Sequence, residues 1–185
     1  FGADVGHVNN SMVLHEAALY AYFSVVGELL DAGVPVDAPA AERGLPDHLT
    51  SHIIVRTGPS DSEAHDIYTW SPLMCATVYG RLLVIRYLLH RGASLSYRAN
   101  DGKNAEDVAR MVYWAEQIRL IQEQAATGHG NSPPGTWVRN SSHQCLLFLE
   151  KVRLSGGYRA FVDEPRIQML VLRALCDRGR AAPPR

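Results

Sequence analysis

The sequence predicts an all-α protein: a short solenoid of helix–turn–helix units, interrupted by a long inserted loop and closed by a C-terminal helical cap. Three observations lead there. "SMVLHEAALYAYFSVVGELLDAGVPVDA" from Ser11 and "WSPLMCATVYGRLLVIRYLLHRGASLSY" from Trp70 align along their whole length. Their apolar residues recur at helical spacing, and serine, proline and glycine fall where such helices would start and stop.

The first unit, residues 11–38, pairs a short helix with a second one whose apolar face is Val25, Val26, Leu29 and Leu30. Ala17 and Ala18 are small because two helices must approach closely there. The second unit, residues 67–99, repeats the plan with Ala76 and with Leu82, Ile85, Leu88 and Leu89. Pro72 suits a helix start because its missing N–H costs nothing there, and Ser71 is placed to cap it. Gly33 and Gly92 follow the last helical turns, where a positive φ is wanted. A third unit, residues 100–125, contains "KNAEDVARMVYWAEQIRLIQEQ", read as another helix, tight turn and helix. Units of this size cannot fold alone and bury a continuous core by stacking.

Gly33 to Leu73 spans 40 residues where Gly92 to Glu106 spans 14, so the first junction carries 26 additional residues, in a loop over 39–66. Loops of this length are commonly functional or disordered. His48, His52 and His65 lie in it, and with Asp47 or Asp66 they offer zinc-ligand types. No H-E-x-x-H motif or cysteine supports a site, and solvent-facing histidines are the expectation. Residues 126–136, with "GHGNSPPGT", have linker composition. Beyond them, 137–185 form a helical hairpin. One helix has Cys145, Leu146, Phe148, Leu149 and Val152 on its apolar face. The other has Pro165 near its first turn, Gly179 after its last, and Ile167, Leu170, Val171, Leu175 and Cys176 among its apolar positions. "SGGYRAFV" joins them, and the hairpin is of a size to cap the open end of a stack.

The repeated motif resembles the ankyrin repeat. "SPLMCAT" is similar to the T-P-L-H-x-A-A opening, "VLHEAA" matches its latter part with His15 in place, and "LLDAG" and "LLHRGA" match the L-L-x-x-G-A close. "NDGKNAEDVA" is similar to a form found in late repeats. The likeness covers roughly residues 1–124. It implies that His15 bridges neighbouring loops rather than doing chemistry, and that the inserted loop occupies the finger position. Met74 and Asp107 stand where the motif has histidine, and Glu106 stands at a core leucine position, as in a stack that is ending. "GADV" at residues 2–5 reads as the tail of an earlier unit. The expectation is therefore a partial repeat over 1–10, with Val8, Asn9 and Ser11 at its finger tip, in a chain that continues upstream.

The resemblance also places the binding surface. The family's variable positions fall on Leu19 and Tyr20 in the first unit, on Ile67, Tyr68, Trp70, Val78 and Tyr79 in the second, and on Asn100, Asp101, Lys103, Met111 and Val112 in the third. The aromatic and apolar members of this set, Leu19, Tyr20, Ile67, Tyr68, Trp70, Val78, Tyr79, Met111 and Val112, are the candidate partner-binding residues, since exposed apolar clusters and Trp, Tyr and Arg mark protein interfaces. Tyr68, Trp70 and Tyr79 are the expected anchors. A loop folded over this face is the competing explanation of their apolar character.

Composition narrows the classes. Net charge is −1, but residues 1–66 hold 2 basic and 10 acidic residues while 137–185 hold 9 basic and 4 acidic. The basic end lacks an interleaved aromatic platform, so no nucleic-acid partner is expected. No apolar run reaches membrane-spanning length, which leaves peripheral association open. Cys75, Cys145 and Cys176 are far apart and set among apolar residues, as free thiols of a reducing, intracellular compartment are. Phosphate loops, nucleophile elbows and dinucleotide fingerprints are absent, so no cofactor, metal or catalytic site is expected. The sequence reads as a non-catalytic protein–protein interaction module, a structural or scaffolding subunit of a larger multiprotein assembly. The alternative is a transient adaptor or regulatory domain, such as a substrate receptor of a ubiquitin ligase. "LRALC" is faintly similar to the SOCS-box helix, although no Ser, Thr or Pro immediately precedes Leu172 and Arg180 takes an apolar place.

Overall fold

Backbone turns at two matching places set the architecture. In the computed structural model, which describes residues 7–39, 69–127 and 136–177, α1 (His7–Tyr20) and α2 (Phe23–Asp31) form one helical pair. A second pair is α3 (Pro72–Val78) with α4 (Leu82–His90). The residue between the helices takes a left-handed conformation in both pairs, Ala21 at φ 63° and Gly80 at φ 63°. The next amide reaches back to the first helix in the same way: Tyr22 N donates to Ala17 O at 2.9 Å, and Arg81 N to Ala76 O at 3.0 Å. Each pair also ends alike. Gly33 and Gly92 adopt positive φ, and Val34 N and Ala93 N donate to Leu29 O and Leu88 O, which satisfies carbonyls the helix end leaves open. Ser71 caps α3 by accepting from Met74 N, with Pro72 in the first turn.

Among the described residues there are seven helices and no strand. The inner helices stack as α1 on α3 on α5 (Ala105–Thr127). Leu14, Ala17 and Ala18 of α1, Leu73 and Ala76 of α3, and Ala105, Val108 and Ala109 of α5 are buried. Val26, Ile85 and Leu88 back this layer from α2 and α4.

Three local expectations are corrected. Helix α1 starts at His7, so Val8 and Asn9 lie on its first turn and not at a finger tip. The third unit has no tight turn: α5 runs unbroken for 23 residues. In repeat register, Tyr113 falls where Gly80 and Ala21 fall, and Ala115, Glu116 and Gln117 after it are good helix formers, so nothing stops the helix. Finally, α7 (Tyr158–Asp177) begins directly after the positive-φ pair Gly156 and Gly157, with Phe161 N donating to Gly157 O. Tyr158–Val162 are therefore helix and not connection, and Pro165 lies inside α7.

After α5 comes α6 (Thr136–Leu154). Its residues up to Leu149 belong to the same compact unit as the stack; residues 150–185 form another. Within the first unit α6 follows α4. Ser141 lies against Gly80, His143 stacks on Tyr113 at 5.3 Å, and Phe148 lies under the Arg86 guanidinium at 5.8 Å. Ser142, Cys145 and Leu149 are its buried face there.

A Cβ on Gly80 would stand 2.9 Å from Ser141 Cβ and 3.0 Å from its carbonyl carbon, in a conformation L-residues avoid. Gly80→Ala is expected to cost about 2 to 4 kcal/mol by urea unfolding, from backbone strain plus overpacking. Ala21→Gly, at the matching turn, is expected to gain up to about 1 kcal/mol.

Candidate functional site

Polar staples tie one helical pair to the next. The His15 ring is buried between two carbonyls, Nδ1 at 2.6 Å from Ser11 O in its own helix and Nε2 at 2.8 Å from Trp70 O. Arg81 Nε donates to Leu19 O at 3.1 Å. Asp37 accepts from Ser94 N with both oxygens, at 2.9 and 3.1 Å. Farther along, Thr69 receives Tyr97 Oη at its carbonyl and Asn100 N at its hydroxyl, both at 2.8 Å. Asn104 and Asp107 cap α5 reciprocally, each side chain accepting from the other's amide. Glu106 meets its near-complete burial by pairing with Arg110 at 2.8 Å.

The structure divides the candidate binding residues sharply. Leu19, Trp70, Val78 and Val112 are no more than 2% exposed, so in this structure their side chains offer no surface to a partner. Every residue of α3 is buried, because this seven-residue helix has α1 and α5 beside it and α4 behind it. Tyr20, Tyr79 and Met111 are half-buried. Ile67 and Tyr68 lie outside the described residues, as do His48, His52 and His65.

Two of the three accessible candidates lie at the turns, and Met111 lies within α5. Tyr20 ends α1 and Tyr79 directly follows α3, at matching repeat positions. Tyr22, exposed, lies 6.0 Å from Tyr20 ring to ring, and the Arg81 guanidinium lies 5.4 Å over the Tyr79 ring. Burial raises the Tyr20 phenol above its ordinary value, and the nearby Tyr79, Glu16 and Tyr22 add to the shift. The cluster presents three phenol rings beside one guanidinium, residue types that protein interfaces favour. Tyr22 and Arg81 were missed by motif position, although each directly follows a left-handed turn residue. A second accessible group, Trp114, Ile118 and Ile121, lies on the part of α5 that continues beyond the expected turn.

Burial pushes the Cys75 thiol up to about 12 and the Cys145 thiol up to about 12, so both stay protonated and inert.

Comparison with known proteins agrees with the repeat geometry. Residues 68–100 match the ankyrin repeat model. The chain is 23% identical over 159 residues to "Putative palmitoyltransferase ZDHHC13" of Danio rerio, an alignment covering 81% of this chain and 25% of that protein. The chain thus spans about a quarter of the length of that relative. No solved structure matches it.

Two measurements check the site. Burial is the largest influence on His15 and lowers its pKa below the ordinary histidine value of 6.5, although the carbonyls of Ser11 and Trp70 pull upward. The unfolded chain then binds the proton more readily. Stability is accordingly full above about pH 6.5 and falls as pH drops towards the folded value, by up to about 1.4 kcal/mol per unit. Urea midpoints from pH 7.5 to 5 should show this slope, and His15→Asn should flatten it. Trp70→Ala is expected to cost about 3 to 5 kcal/mol through the cavity it leaves. Trp70→Phe should be far milder, since the indole Nε1 it removes is buried without a partner.

Proposed function

We propose, from the ankyrin repeat at residues 68–100 as premise, that this chain is a non-catalytic protein–protein interaction module serving as a structural or scaffolding subunit of a larger assembly. Ankyrin repeats generally mediate protein–protein interaction. Among the described residues no helix is long and apolar enough to cross a membrane. The observation that carries the reading is the pair Tyr20 and Tyr79, repeat-equivalent and still accessible at the turns, with Tyr22 and Arg81 beside them. Met111 is the accessible candidate of the third unit.

A fixed subunit should co-purify with partners in constant ratio that survive about 0.5 M salt; a transient adaptor should not. Tyr20→Ala combined with Tyr79→Ala is expected to weaken that association at least about tenfold, as the loss of interface anchors does. Cross-linking of the tagged full chain and calibrated pull-down provide the readout, with melting temperature as the folding control. Full retention of partners by a folded double variant would overturn the assignment of this surface.

A further inference from the structure

Helix α7 keeps most of its length in solvent. Val162, Ile167, Met169, Leu170, Val171 and Leu172 are each 46 to 63% exposed, in a helix of 20 residues. Such an array is not stable surface decoration. Its pattern is ordered. Tyr158, Val162, Pro165, Met169 and Leu172 recur at alternating intervals of four and three, and Phe161 and Leu175 widen the same stripe on one side. Along the other side stand Arg159, Arg166 and Arg173, spaced seven apart and all exposed. An apolar seam with one charge sign at a fixed flanking position is how coiled-coil helices choose partners.

That flank decides among occupants. In an antiparallel pair with a second copy, Arg166 would face its own equivalent and Arg159 would face Arg173, a row of like charges. In a parallel pair the arginines would face Phe161, Gln168 and Leu175, none of which is acidic. An anionic membrane surface is disfavoured too, because Asp163 and Glu164 offset much of the helix's basic charge. We propose that α7 docks an amphipathic helix of a partner protein that carries acidic residues at heptad spacing beside its own apolar seam. Ile167, Leu170 and Val171, on the opposite side of α7, lie outside that seam.

The full chain is titrated by fluorescence anisotropy with two designed helical peptides, both with leucine seams, one with glutamates and one with lysines at the flanking positions. The glutamate peptide is expected to bind at least about tenfold more tightly, and the variant R159E/R166E/R173E to reverse the preference with unchanged far-ultraviolet dichroism. Should that variant lose helicity, the wild-type protein still decides the question, since its affinity for the glutamate peptide should fall severalfold from 0.05 to 0.5 M salt. Equal affinity for the two peptides, no binding, self-association through α7, or binding to phosphatidylserine vesicles in place of the peptide would overturn the proposal. None of these outcomes bears on the tyrosine cluster.

Discussion

One buried imidazole joins the first helical pair to the second. His15 touches Ser11 O within α1 and Trp70 O at the entrance of α3, the latter 55 positions away in sequence. Between consecutive repeats of regular length, chain connectivity alone would keep neighbours adjacent. Here α2 ends at Asp31 and α3 begins at Pro72, and bringing segments so far apart in sequence together costs entropy. The stack therefore relies on contacts that are remote in sequence: the His15 ring, Arg81 on Leu19 O, and Asp37 on Ser94 N. Each satisfies backbone groups that would be costly to bury unpaired. Neutral His15 can donate to only one of its two carbonyls, so its position balances burial, which favours the neutral ring, against hydrogen bonding, which favours the cation.

With that junction fixed, the rest follows from how each pair turns. A residue in the left-handed region lets the chain reverse within two residues, and both Ala21 and Gly80 do so. The second of these must be glycine for an additional reason, because Ser141 of α6 rests on it. The third unit has a bulky aromatic residue at the same register and does not reverse. There α5 continues, and α6 from farther along the chain meets the stack at Gly80, Tyr113 and Arg86.

Local signals were legible in the sequence because they are local. Ser71 and Pro72 at a helix start, and Gly33 and Gly92 at helix ends, act within a few residues of themselves, and the structure places them as the motif requires. Tyr113 shows the limit. Alignment to a repeat implies a turn, whereas the turn itself needs a residue that tolerates positive φ, and the family pattern hid its absence. The placement of α6 was not legible for another reason. It depends on Ser141, His143 and Phe148 meeting Gly80, Tyr113 and Arg86, pairings between segments with no shared pattern.

The candidate site divides along the same line. Repeat position places a side chain on a helix but not the number of its neighbours. Leu19 and Val78 are equivalent by register, as are Tyr20 and Tyr79, yet the first two are buried and the second two remain accessible. The difference is one residue, about 100° around a helix. Val112, in register with the two tyrosines, is buried as well. Aromatic character at a variable position therefore has two physical meanings in this fold. At Trp70 it fills the core next to the His15 staple, and at Tyr79 it stands at a turn beside a cation. Only the second is available for recognition, and a variant that disturbs the first perturbs binding by way of the fold.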